Sequence, residues 1–154
     1  MTLPTASPLL RPSRRALLAG LAAGALLPAP LVRARADERP FRIFMITWRG
    51  WEDASQGFKD YLDRRGIRTE LIVRDAGTSR DKVAEIVQEA KAAEPDLVYT
   101  WGTTTALTAF GKVDAVDPAQ HITEIPSVFT IVSDPVGSGV VRAYDAPRPS
   151  RPGR

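Results

Sequence analysis

FRIFMITW, residues 41–48, is bounded by Pro40 and Gly50 and is apolar at all but Arg42 and Thr47. No polar alternation runs through it, so it suits a buried strand rather than a water-facing one. Downstream, Ala54, Phe58, Tyr61 and Leu62 recur at helical spacing over Glu52–Arg65, and Gly66 supplies the stop. Ile67–Val73 forms a second strand and Asp75-Ala76-Gly77 a turn. Thr78 or Ser79 then caps a helix whose apolar stripe is Val83, Ile86, Val87 and Ala90. Pro95 closes that helix. A third strand, Asp96–Trp101, leads through Gly102-Thr103-Thr104-Thr105 into a short helix reaching Phe110, and Ile125-Pro126 introduces a fourth strand, Ser127–Val132.

Strands alternating with helices over short connections predict an α/β three-layer sandwich with a parallel sheet and right-handed crossovers. In such sheets ligands sit beyond the carboxyl ends of the strands. Three segments share that edge: Trp48–Asp53, Gly102–Thr105 and Ser133–Gly139.

Residues 1–36 have another texture. Ser13-Arg14-Arg15 opens an Ala/Leu/Gly-rich run from Ala16 to Leu27, Pro28 and Pro30 break it, and Ala34-Arg35-Ala36 follows. A charged start, a short apolar middle and an A-x-A end define a signal peptide, cleaved near Ala36. The paired arginines and the basic residues near the cleavage site favour the twin-arginine route over the general secretory one. The label also owns the basic excess. It holds five arginines and no acid, and without them sixteen basic side chains face 18 acidic ones. A folded part with slightly negative charge lacks the basic face that a nucleic-acid partner requires. The chain has no cysteine, which excludes a disulfide framework, a thiolate metal site and a lipid-modified N-terminal cysteine. His121 stands alone in a polar loop, away from any metal-ligand spacing.

Gly57-Phe58-Lys59-Asp60, Glu94-Pro95-Asp96-Leu97-Val98, Trp101-Gly102-Thr103, Ile125–Thr130 and above all Ser133-Asp134-Pro135-Val136-Gly137-Ser138-Gly139-Val140-Val141 form a set. In that order and spacing they resemble the ABC-transporter substrate-binding family of the tryptophan/tyrosine type. The resemblance covers Phe41 to Val141. It implies one N-terminal lobe, residues 37–141, of a type I periplasmic binding protein. Family members continue into a second lobe that helps grip the ligand. Here residues 142–154 form an Arg/Pro-rich stretch without apolar period, so a disordered tail from a truncated or frameshifted reading frame is the expectation.

Four residues are the candidate ligand-binding set. Thr103 and Thr104 follow a strand and begin a helix, where unpaired N–H groups suit a carboxylate; the resemblance implies that this turn contacts ligand. The bland reading has Thr103 capping its own helix. Asp134, fixed before Pro135, could meet a ligand ammonium or could bond its own loop. Trp48 is chosen over Trp51 and Arg49 to carry the ligand's body, although Arg49 offers paired donors to a carboxylate. Glu52 and Asp53 at a helix start offset its dipole. No Gly-x-Gly-x-x-Gly after the first strand and no Gly-x-Ser-x-Gly elbow occurs.

The expectation is a periplasmic, non-enzymatic solute-binding component of an ABC importer. It captures an amino acid or similar small carboxylate without cofactor or metal, and its partners are the ABC permease subunits. The rival readings are an exported flavodoxin-like enzyme and a periplasmic sensory or interaction lobe.

Overall fold

A computed structural model describes residues 39–146. The expected export label and residues 147–154 of the Arg/Pro stretch lie outside the described residues. Seven elements follow one another: β1 (Phe41–Thr47), α1 (Asp53–Arg64), β2 (Thr69–Asp75), α2 (Arg80–Ala93), β3 (Leu97–Trp101), α3 (Thr103–Phe110) and β4 (Ser127–Thr130). The strands form one parallel sheet in the order β2-β1-β3-β4.

The run that opens the argument lies inside this sheet. β1 pairs along its whole length with β2, from Phe41 opposite Thr69 to Thr47 opposite Asp75, and with β3 through Ile43–Ile46. Residues 43–47 are wholly buried. Alternate side chains serve opposite faces. Phe44 and Ile46 join Val83, Ile86, Val87 and Ala90 of α2 and Ala106, Ala109 and Phe110 of α3. Ile43 and Met45 join Leu62 and Phe58 of α1, with Tyr99 and Trp101 of β3. Helices thus cover both faces, giving the expected three layers.

Element ends follow local chemistry. Gly66 takes φ +67, its N–H bonds to the Asp63 carbonyl, and the Ile67 N–H reaches back to the Leu62 carbonyl at 3.0 Å. This is a Schellman closure. It uses up Ile67, so β2 begins at Thr69, two residues later than the apolar pattern predicts. Ser79, not Thr78, caps α2: its side chain accepts the Lys82 N–H. β4 stops at Thr130 rather than Val132 because Ile131 has φ +54, a left-handed backbone that a β-branched residue rarely adopts. After Val141, residues 142–146 turn back with the Ala146 N–H on the Ala143 carbonyl, and Arg142 pairs with Asp114 at 2.7 Å.

The amino edge of the sheet has its own clamp. Arg39 meets Asp96 through two 2.7 Å bonds, and the Arg42 backbone N–H adds a third at 2.8 Å. The Arg39 bonds first, then the Arg42 amide, hold the Asp96 carboxyl at about 2, below its ordinary 3.8. A carboxyl depressed in the folded state stabilises above its unfolded pKa, and that contribution disappears as pH falls through the folded one. Stability should therefore drop between about pH 4 and pH 2, and Asp96→Asn should flatten this limb in acid denaturation. At neutral pH the variant should lose about 1 kcal/mol, a modest figure because the Arg39 side chain is 54% exposed.

Candidate functional site

An open parallel sheet offers a crevice where successive connections leave in opposite directions, outside the strands' carboxyl ends. Here the chain passes from β1 outward to β2 and then crosses to β3 on β1's other side. The crevice position is therefore between β1 and β3. Trp48–Glu52 borders it from one strand and Gly102–Thr105 from the other.

These two loops meet at Trp48. Its half-buried ring packs against the apolar clusters of both faces. A Cβ on Gly102 would lie 3.9 Å from the Trp48 Cβ, so the start of α3 passes close to the end of β1. Gly102, at φ +92, is the N-cap of α3, and no side chain caps the helix. The first helical bond runs from the Ala106 N–H to the Gly102 carbonyl. The N–H groups of Thr103, Thr104 and Thr105 therefore precede the intrahelical ladder. The first turn carries no acid, so nothing on the helix itself offsets the positive end of its dipole. Thr105 Oγ1, and Trp101 Nε1 on the α1 face of the sheet, are buried without a partner among the described residues.

Arg49 is the cation of this rim. Its guanidinium carbon lies 5.1 Å above the Trp101 ring, and its Nε donates to Glu52 at 2.5 Å. The second contact explains why Glu52, the N-cap residue of α1, makes no capping bond. Trp51 turns away: it is exposed and donates its indole N–H to Gln56 on α1.

Asp75, at the end of β2, ties the β1 loop in place. Its Oδ1 accepts the Gly50 N–H at 2.8 Å and the Gly77 N–H at 3.2 Å. Partial desolvation works to raise its pKa, but the Gly77 and Gly50 amides, with Thr47 and the charge of Lys82, outweigh it and hold the carboxyl below its ordinary value. The sequence showed Asp75 only as a turn former. The Gly50 amide it holds is 25 residues away in the chain, and no local pattern reveals that.

Asp134 lies one strand further out, after β4. Its Oδ1 accepts the Gly137 N–H at 2.7 Å, and its carbonyl accepts the Ser138 N–H. A Cβ on Gly137 would fall 2.1 Å from the other carboxylate oxygen, so a larger residue there would push the folded-back acid aside. Of the four candidate residues, Trp48, Thr103 and Thr104 are gathered at the β1–β3 position. Asp134 is engaged in its own turn, the second of the two roles its sequence allows. His121 Nδ1 accepts the Asp117 N–H, with its ring against Gly111. A groove of about 940 Å³ runs elsewhere, along the outer flank of β4, lined by Phe110, Val116, Ile125, Phe129, Val141 and Tyr144.

No protein-family profile matches the chain, and no curated protein does. Solved structures do. A conserved domain protein from Vibrio cholerae O1 biovar El Tor aligns with a TM-score of 0.58 at 21% identity, over 68% of this chain and 35% of its own. The ligand-free, open structure of CD0873, a substrate-binding protein with adhesive properties from Clostridium difficile, aligns at 0.56 and 19% identity, over 66% and 34%. An ABC domain in complex with L-Trp from Streptococcus pneumonia aligns at 0.56 and 19%, over 68% and 35%. The chain spans about a third of the length of these proteins. The fold is that of one α/β lobe of a substrate-binding protein, as the resemblance in the sequence implies.

The Asp75 tether gives a test of the rim's construction. Asp75→Ala should cost about 1–2 kcal/mol and raise hydrogen exchange at the Gly50 and Gly77 amides, while amides in the centre of β1 stay protected. Equal acceleration throughout the sheet would show that Asp75 supports the whole fold rather than the loop.

Proposed function

We propose that this chain is the ligand-binding lobe of an exported solute-capture protein serving an ABC-type importer, with a small carboxylate-bearing solute such as an amino acid as its ligand. The observation that carries the reading is the uncapped, acid-free start of α3 at the β1–β3 crevice, with Trp48 packed beside it. The solute's carboxylate sits at the Thr103–Thr104 turn, where helix N–H groups supply donors and positive potential, and its apolar body lies against Trp48. Nothing in this set requires a bond to be made or broken. The mechanism is non-covalent capture, and lobe closure over the solute presents it to a membrane permease. Fold likeness to a substrate-binding protein and to a domain holding L-Trp supports the class. The twin-arginine-type label supports delivery to the periplasm.

One lobe supplies half of a cleft, so the isolated chain should bind weakly, with Kd near the millimolar range. Ligand at ten times its Kd adds about 1.4 kcal/mol to stability, a rise in Tm of several degrees for a domain of about 100 residues. A thermal-shift series with aromatic and aliphatic L-amino acids should show this saturable rise for at least one of them. A Tm indifferent to all of them would sink the reading, and nanomolar binding would show that no second lobe is needed.

A further inference from the structure

Three carboxylates that border the crevice and its neighbouring loops are already committed. Glu52 accepts from Arg49, Asp75 accepts from Gly50 and Gly77, and Asp134 accepts from Gly137. Asp53 stands exposed in the first turn of α1, where it offsets that helix's dipole. The donors are arranged the opposite way. The α3 amides are uncapped, and the Trp101 indole N–H is buried without a partner among the described residues. Arg49 spends only its Nε on Glu52, and its two terminal nitrogens have no protein partner among the described residues.

Arg49 also differs from the arginines tied up elsewhere. The forks of Arg39 and Arg74 are closed by Asp96 and Glu89. Arg49 lies on the face of Trp101, the last residue of β3, although it belongs to the loop after β1. It therefore bridges the two strands that define the crevice, held from below by the indole and from the side by Glu52. A guanidinium fixed at Nε presents its terminal N–H groups as a planar fork, the geometry that takes a carboxylate through two parallel bonds.

We propose that Arg49, clamped between Trp101 and Glu52, reads the solute's carboxylate, and that this lobe selects carboxylates without reading an amino group. The inference rests on the solute-binding reading and narrows its ligand class to organic acids with an apolar or aromatic body, with or without an α-amine. Asp134 holds its loop.

Three small probes separate the alternatives: 3-phenylpropionate, L-phenylalanine, and phenethylamine, which lacks the carboxylate. Of the chain's three tryptophans, Trp48 and Trp101 lie on or beside the rim, so intrinsic fluorescence of the full chain reports binding. The two acids should change it saturably with Kd values within about threefold of each other, and the amine should leave it unchanged up to about 10 mM. Arg49→Gln and Arg49→Lys should each weaken 3-phenylpropionate by at least about tenfold, while Asp134→Asn binds as the parent chain does. Should Arg49→Gln unfold in part, Arg49→Lys decides, because it keeps the charge and loses the fork. Unchanged binding by Arg49→Lys overturns the proposal, and so does amine binding that Asp134→Asn abolishes; both leave solute capture standing. Silence from all three probes overturns solute capture and this inference with it.

Discussion

The structure depends on β1 being buried on both faces and paired on both edges. A strand with Ile43, Phe44, Met45 and Ile46 all out of water needs a helical layer above and below. It also needs a neighbour on each side for its amide groups. The parallel pairing with β2 and β3 meets the second need, and α1 opposite α2 and α3 meets the first. One consequence is functional. With β2 on one flank and β3 on the other, the loops after β1 and β3 diverge to opposite faces and leave their carboxyl ends side by side.

What gathers at that junction is a set of donors held by the protein's own acids. Asp75 fixes the Gly50 amide and Glu52 fixes Arg49, while Asp134, one strand further out, is drawn into the turn ending at Ser138. Spending carboxylates on loop amides pins those loops while the acids keep their charge. It also rigidifies the groups that remain, and such preorganisation favours binding by lowering the ordering cost. With its loops held, the rim keeps the terminal nitrogens of Arg49 and the first amides of α3 uncommitted among the described residues.

Much of this was legible in the sequence, for identifiable reasons. The β1 run, the stripe of α2 and the Gly66 stop carry local signals, and the order of elements follows from them. The start of α3 was legible too, since a strand followed by Gly102 and three threonines has few other readings. The ends of β2 and β4 were not. Ile67 looks like strand by side chain but is consumed by the closure of α1, and Ile131 looks like strand but adopts a left-handed backbone. The role of Arg49 was only half legible. Its spacing from Glu52 is visible, whereas its seat on Trp101 joins residues from two different strand ends, far apart in the chain. Asp134 shows the converse: a residue singled out by its motif builds a turn of its own.

The most direct test of the account is to map a bound carboxylate onto the backbone by amide chemical-shift changes while titrating the chain with 3-phenylpropionate. The account predicts saturable shifts concentrated at Trp48–Gly50 and Gly102–Ala106, on the two loops that end β1 and β3. Shifts concentrated instead along Ile125–Phe129 and Val141–Tyr144, in the groove flanking β4, would contradict it.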